Sequence, residues 1–297
     1  MITWCAALTL DLLVGEPPAR FHPVVWIGRL IGWLDRRSPS APRSQLLYGV
    51  GVAAAPALGA ALLGLAVRLV RPRVLRTLLT VWLLKSAFSV RALLEAGDAV
   101  EDRLAADDLE GARAALRSLV SRERATLDRS HVASAAVESA AENLADSYVA
   151  PLLWYAVGGL PAALAYRAIN TADAMVGYRG RHEYLGKASA RLDDLANYVP
   201  SRASALALAA AAPLVGLSAR EAIEVTRRDH RKTASPNAGW PMAAAAGALG
   251  VWLEKTDHYR LGSGRAPKAS DIQAVRRLVF VAAGLCTVVA AVVRKPR

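Results

Sequence analysis

Long apolar stretches alternate with short, strongly polar punctuation along this chain. Residues 46–67 form an uncharged run of Ala, Leu, Gly and Val, long enough to cross a bilayer core as a helix. Arg68, Arg71, Arg73 and Arg76 follow at once, with Pro72 among them, and this basic connector predicts a cytoplasmic turn. Residues 77–97 are again apolar but carry Lys85, Arg91 and Glu95. That pattern fits either a span with its charges turned inward or an amphipathic helix lying along the others. Residues 148–169 give a second clear run, with Gly158, Gly159 and Pro161 in its middle, residue types that break or kink a helix. Residues 203–217 and 241–253 are shorter than a standard span and fit half-helices, tilted helices or re-entrant pieces. Residues 278–293 lead into Arg294 and Lys295, which read as a last span with a basic stop. Residues 98–147 are the most polar stretch. There Asp107, Asp108 and Glu110 precede residues 112–119, predicting the acidic first turn of a helix. Asp128 is placed to N-cap the helix that leads into residues 133–146.

Composition agrees with this pattern. The chain has 297 residues, 54% hydrophobic and only 6% aromatic, with a mean hydropathy of +0.25. Ala and Leu supply the apolar excess, which is helix-forming composition with little strand signal. The expectation is an all-α, polytopic integral membrane protein, a single membrane-embedded domain over residues 1–297. The formal charge of +12 suits anionic headgroups and phosphate-bearing substrates. Nucleic acid is not an expected partner, because basic residues are spread through every connector and no nucleic-acid module is present. The same spread means that the positive-inside rule cannot orient the whole chain. Cys5 and Cys286 lie in apolar stretches at opposite ends and read as buried thiols rather than a disulfide or metal site. The N-terminus lacks a basic leader region and Asp11 interrupts its apolar stretch, unlike a cleavable signal peptide.

Polar residues at the ends of the apolar runs are the candidate chemistry, since carboxylates and amides bordering lipid are costly unless they face a cavity, a cation or each other. Glu138, Glu142 and Asp146 are spaced four apart and share one helix face, with Asn143 at its edge. Asn170 and Asp173 share a second face. Asp193, Asp194 and Asn197 repeat the acid–amide combination, with Arg191 and Arg202 nearby. Carboxylates this close repel unless a cation or a shared proton intervenes, and oxygen ligands of this kind suit Mg²⁺ bridging to substrate phosphates. A solvated acidic face or a polar network between helices explains each group alone equally well; a shared site explains all three together. Ser235-Pro236-Asn237-Ala238-Gly239-Trp240-Pro241 reads as irregular chain lining a cavity, with Trp240 either a flat face for a large ligand or an interfacial anchor. His22, beside Gly15, Glu16 and Pro17, reads as a hydrogen-bonded structural residue. Two apparent nucleotide motifs fail. Gly49-Val50-Gly51 has no preceding strand and reads as close helix packing. The stretch from Gly180 to Gly186-Lys187 has the wrong spacing for a phosphate loop and Ala188 in place of a hydroxyl residue, although Lys187 remains a possible anion ligand. The histidines show no zinc spacing.

Five stretches in order resemble the adenosylcobinamide-phosphate synthases of cobalamin biosynthesis, the CobD/CbiB family. They are residues 10–29 (LDLLVGEPPARFHPVVWIGR), 136–159 (AVESAAENLADSYVAPLLWYAVGG), 165–178 (AYRAINTADAMVGY), 188–202 (ASARLDDLANYVPSR) and 235–251 (SPNAGWPMAAAAGALGV). Glu16 and Glu123 stand where the family usually has aspartate, and Met242 where it usually has glutamate. The resemblance implies an integral membrane enzyme that joins the free propionate of adenosylcobyric acid to (R)-1-amino-2-propanol or its O-phosphate, with ATP consumed. The expected cofactors are ATP and Mg²⁺. The expected location is the inner membrane with a cytoplasmic active face, beside other membrane-associated cobalamin-assembly enzymes.

Glu142, Asp146, Asp173 and Asp194 are then the candidate catalytic residues, the first three also as metal ligands. Asn143, Asn170, Arg191, Asp193, Asn197, Arg202, Ser235, Asn237 and Trp240 are the candidate substrate and phosphate contacts. Two other classes use the same polar residues: a Mg²⁺-dependent membrane transferase acting on a lipid diphosphate, and a non-catalytic transporter or assembly subunit.

Overall fold

The structure is a computed structural model and describes residues 2–120, 123–178 and 180–293. Arg294 and Lys295, expected to end the last span, lie outside the described residues. In chain order the α-helices are α1 (Ile2–Val14), α2 (Pro23–Asp35), α3 (Pro42–Arg68), α4 (Arg73–Lys85), α5 (Val90–Ala105), α6 (Leu109–Ala115), α7 (Arg129–Leu144), α8 (Ala150–Val176), α9 (Lys187–Ala196), α10 (Tyr198–Ala211), α11 (Ala219–Asp229), α12 (Gly239–Leu249) and α13 (Ala269–Val293). Five helical stretches are long and apolar enough to cross a membrane: Pro42–Arg68, Arg73–Ala105, Arg129–Val176, Tyr198–Val215 and Ala269–Val292. The all-α polytopic architecture expected from the sequence is therefore present. Its one exception among the described residues is a small antiparallel hairpin, β1 (Leu253–Lys255) with β2 (Tyr259–Leu261). Strands this short carry no periodic signal, and the turn closes on Asp257 at φ 62°.

Several local expectations hold. Asp108 caps α6 by accepting from the Gly111 amide at 2.8 Å, and Asp128 caps α7 by accepting from His131 at 2.9 Å. The run over 77–97 is two helices rather than one, with a break at residues 86–89. Residues 129–176 form one helical stretch, broken by non-helical backbone at Gly159, so the helix leading into residues 133–146 and the start of the apolar run after it are not separate elements. They are joined by a π-helical turn at Ala145–Val149, a form found mostly as single turns and often at functional sites.

The chain forms two compact units, each built from discontinuous stretches. The first contains α1–α4, α8 and α9. In it α3 lies along α8, and a Cβ added to Gly64 would sit 2.7 Å from the Pro161 Cα, so the crossing needs a residue without a side chain. A similar approach occurs at Gly49, whose position abuts the Leu185 carbonyl; the close packing expected of the Gly49–Gly51 pattern is therefore against the turn before α9 rather than another helix, and Gly51 meets nothing within 4 Å. Pro161 cannot donate to the helix ladder. The kink it accompanies falls at Gly159, at φ 71° and ψ −158°, and the Arg68 guanidinium donates to the Gly158 carbonyl at 3.4 Å. Ile31, Val52, Ala172, Val176 and Leu185 form a buried core cluster of this unit.

The second unit contains α5–α7, α10–α13 and the hairpin. Its centre is α12, buried at nearly every position. Leu253 and Leu261 face each other in register and are both fully buried. Asp229 at the end of α11 is also fully buried. It pairs with Arg228 at 2.9 Å and Lys232 at 2.7 Å, and accepts from the Gly262 amide at 2.7 Å. Burial opposes its charge, but these three partners outweigh burial and hold the carboxyl well below the usual carboxylate range.

Candidate functional site

In the first unit, α8 and α9 bring the second and third acid–amide groups together. Asn170 donates to one oxygen of Asp193 at 3.2 Å, and Asn197 donates to the other at 3.0 Å. Behind the amides, Tyr166 donates to the Asn197 side-chain oxygen at 2.9 Å and Arg167 to that of Asn170 at 3.1 Å. Both amides are thus fixed in orientation with their N–H groups on the carboxylate. Asp173 lies one turn beyond Asn170, close enough to Asp193 and Asp194 for the three charges to interact. Its carboxylate covers Gly177, where a Cβ would overlap it. Burial raises the Asp193 carboxyl above its ordinary range. The amides of Asn197 and Asn170 pull it back, and the Asp194 charge pushes it further up. Asp194 is also raised by burial, with exposed Arg191 opposing. These are crowded carboxylates whose charge the protein only partly offsets, an arrangement a cation would relieve.

Among the described residues, no three His, Cys, Asp or Glu side chains are grouped as a protein-only metal cage. The donor set fits Mg²⁺ nonetheless, because that ion takes one or two carboxylates and fills its other positions with water and phosphate oxygens. Lys187 is less available than its position in the failed phosphate loop implied. It lies 3.7 Å from Glu183 and over the Tyr184 ring.

In the second unit, α7 and its π turn carry Glu142, Asn143, Asp146 and Ser147 as a half-buried stripe in an otherwise buried segment. Asn143 donates to the Ser139 carbonyl at 2.9 Å and accepts from Ser147 at 2.9 Å, so it braces the stripe. Glu138 does not share the open face expected for all three carboxylates. It is buried, with Ser134 donating to it at 2.7 Å and Tyr259 at 2.8 Å. The Tyr259 hydroxyl also lies 3.9 Å from the Met242 sulfur. Met242 is thus a buried neighbour of this network.

The same unit gathers Arg202, Ser235, Asn237 and Trp240. The Arg202 guanidinium lies 3.6 Å over the Tyr198 ring and 4.7 Å from the Trp240 ring centre. Its Nη1 donates to the Tyr198 carbonyl at 2.7 Å and to the Asn237 side-chain oxygen at 3.0 Å. Among the described residues its Nε and Nη2 have no partner. One end of the guanidinium is pinned and the other edge is open, the fork that accepts carboxylate or phosphate. Ser201 also donates to Asn237, at 3.3 Å. The chain over residues 231–238 is irregular, as expected. Ser235 shapes it, its hydroxyl oxygen accepting from the amides of Asn237 at 3.2 Å and Ala238 at 3.3 Å. The Trp240 ring also contacts that of His230, with centres 4.2 Å apart and planes tilted by 41°.

Sequence reasoning missed Tyr166, Arg167, Tyr198, Ser201 and His230. The four-residue step from Tyr198 to Arg202 was a usable signal, because it puts ring and guanidinium on one helix face. Nothing in the spacing marks His230. A buried ionic group near the N-terminus was missed as well. Lys85 is 1% exposed and lies 3.2 Å from Asp11 and 2.8 Å from Glu16. His22 accepts from the Val24 amide through Nδ1 and therefore donates to Glu16 through Nε2 at 2.7 Å, the structural role read for it.

Comparison with known proteins now decides the family. The family described as CobD/Cbib protein matches residues 4–279. The chain belongs to the CobD/CbiB family. It is 40% identical over 274 residues to the cobalamin biosynthesis protein CobD of Dehalococcoides mccartyi, covering 90% of this chain and 88% of that one. It is 44% identical over 263 residues to the cobalamin biosynthesis protein CobD of Geobacter metallireducens, covering 85% and 81%. It is 41% identical over 283 residues to the probable cobalamin biosynthesis protein CobD of Thermococcus kodakarensis, covering 95% and 91%. No solved structure matches the chain. Membership in the CobD/CbiB family supports a role in cobalamin biosynthesis, carried out by a helical membrane protein.

Proposed function

We propose that this CobD/CbiB chain is the ligase that joins the free propionate of adenosylcobyric acid to (R)-1-amino-2-propanol or its O-phosphate, with ATP consumed. The observation that carries the reading is the crowding of Asp173, Asp193 and Asp194 around α8 and α9 in a chain of this family. A carboxylate is a poor acyl donor to an amine and needs activation. Transfer of the ATP terminal phosphoryl group to the propionate oxygen makes an acyl phosphate. The amine then attacks the acyl carbon and phosphate leaves.

Bound Mg²⁺ would neutralise the charge on the transferring phosphoryl group. Asp173, Asp193 and Asp194 of the first unit would hold it; Glu142 and Asp146 are the carboxylates of the second unit in this reading, taken by themselves. Asn170 and Asn197 orient Asp193 for the task. Arg202, pinned at one end, binds an anionic group of a substrate, either the corrin propionate or the phosphate of the amine. Asn237 and Tyr198 hold the guanidinium in place, and Trp240 excludes water from it. Neither cysteine lies at a polar position, so an acyl group passed through a thiol has no candidate here.

The reaction takes place at the inner membrane with its ATP-using face towards the cytoplasm, beside other membrane-associated enzymes of corrinoid assembly. Purified protein incubated with adenosylcobyric acid, aminopropanol phosphate and Mg²⁺–ATP should form amide, ADP and phosphate in step. Oxygen-18 placed in the propionate carboxylate should appear in the phosphate. AMP and pyrophosphate would indicate an acyl adenylate instead, and amide formed without nucleotide would overturn the ligase reading.

A further inference from the structure

His230 closes α11 beside the guanidinium–aromatic cluster of the second unit. Its Nδ1 lies 2.8 Å from the Thr226 carbonyl oxygen. A carbonyl only accepts, so Nδ1 carries the hydrogen and Nε2 of the neutral ring keeps its lone pair. No described residue donates to that Nε2. The ring lies tilted against Trp240, with centres 4.2 Å apart and planes 41° apart, and Trp240 is also the ring that Arg202 contacts at 4.7 Å. The half-buried imidazole thus has a fixed ring, a fixed tautomer and one free basic nitrogen, and it shares a side-chain neighbour with an open anion fork.

These are the attributes of a general base held in place: an oriented nitrogen whose other side is hydrogen-bonded. The charged groups around it are few. Arg202 faces the cluster from α10, and α12 presents only the uncharged Trp240. On its own segment Asp229 is already engaged by Arg228, Lys232 and the Gly262 amide. No carboxylate is recorded in contact with His230 among the described residues. The thermodynamic need for a base is plain. When the amine nitrogen attacks the acyl carbon it becomes positively charged, and it must lose one proton before the amide is complete.

We propose that His230 Nε2 is the catalytic base of the acyl-transfer half-reaction. The amine nitrogen forms the C–N bond, the bond from the acyl carbon to the phosphate oxygen breaks, and phosphate leaves with the bonding pair. The proton lost by nitrogen passes to Nε2, and the imidazolium returns it to solvent. This inference rests on the ligase reading above.

The test compares wild type, His230→Gln and His230→Ala in the complete Mg²⁺–ATP reaction, after each variant has been shown to keep the wild-type melting temperature. His230→Gln should lower kcat roughly 100-fold, leave KM for aminopropanol phosphate near the wild-type value, and remove the acidic limb of the kcat–pH profile. Added imidazole should restore part of the rate to His230→Ala and none to wild type. A role confined to packing against Trp240 would give no imidazole rescue and no change of pH profile, and would overturn the base assignment. So would a His230→Gln enzyme with wild-type kcat and profile. If wild type itself makes no amide, the ligase reading falls and the base assignment falls with it. If wild type makes amide and the variant matches it, the base assignment alone falls.

Discussion

Asn170 on α8 donates to Asp193 on α9 at 3.2 Å, across an intervening turn that separates them by more than twenty positions in the chain. This one hydrogen bond joins two polar groups that the sequence shows only as separate clusters, where the Asp173, Asp193 and Asp194 charges interact. Asp193→Asn should keep the fold, because an amide still pairs with the neighbouring amides after a flip. It should lose most turnover by removing one of three interacting charges. A retained wild-type rate at saturating Mg²⁺ would show that the carboxylates serve only to hold α8 on α9.

Asp173→Asn and Asp146→Asn are predicted to abolish turnover while the protein still inserts and stays folded. The first removes a carboxylate from the α8–α9 cluster and the second one from the half-buried stripe of the π turn. Activity assays on membranes, with expression checked by immunoblot, decide the matter. Full activity in both variants would mark these groups as structural.

Arg202→Lys keeps the charge but loses the fork and most of the stacking on Tyr198. KM for the anionic substrate it binds should rise about tenfold, equivalent to roughly 1.4 kcal/mol, with a smaller effect on kcat. Steady-state kinetics varying adenosylcobyric acid and the amine in turn would show which substrate it serves. Unchanged KM for both would remove Arg202 from the binding site.

The Lys85 group predicts a pH-dependent stability. Burial opposes the Glu16 charge, but hydrogen bonds from His22, Lys85 and Ser89 outweigh it and lower the carboxyl from 4.5 to about 2. A depressed folded value means that the stabilisation is complete above about 4.5 and is lost as pH falls from there towards 2. Glu16→Gln should therefore flatten the fall in melting temperature over that interval in detergent. Lys85→Met removes the cation buried against Asp11 and should cost about 3–5 kcal/mol, with Asp11→Asn added to it recovering much of the loss.

Gly64→Val tests the helix crossing. A Cβ there would meet the Pro161 backbone at 2.7 Å, so α3 and α8 must separate. The expected loss is about 1–3 kcal/mol, read as a lower melting temperature in detergent. Gly51→Val, which meets nothing within 4 Å, is the control and should leave the melting temperature near wild type.

The sequence by itself determined the features set by neighbouring residues. Apolar run length announced the spans that contain residues 46–67, 148–169 and 278–292, Asp107, Asp108 and Glu110 announced the acidic start of α6, Asp128 announced its cap, and Gly159 with Pro161 announced a kink, because each depends on backbone chemistry within a short stretch of chain. The Asp193–Asn197 contact was legible for the same reason, since a four-residue step puts both on one face. The family was legible too, through five ordered motifs.

Tertiary structure alone decided which polar face meets which. Glu138, Glu142 and Asp146 have one spacing, yet only Glu138 is drawn inside, because Tyr259 and Ser134 supply its hydrogen bonds there. Lys85 pairs with Asp11 and Glu16 across most of α2, α3 and α4. His230 contacts Trp240 through an irregular connector that has no period. A charge or amide can be buried only where a partner arrives from elsewhere in the fold to replace its water, and spacing along one helix carries no record of that distant partner.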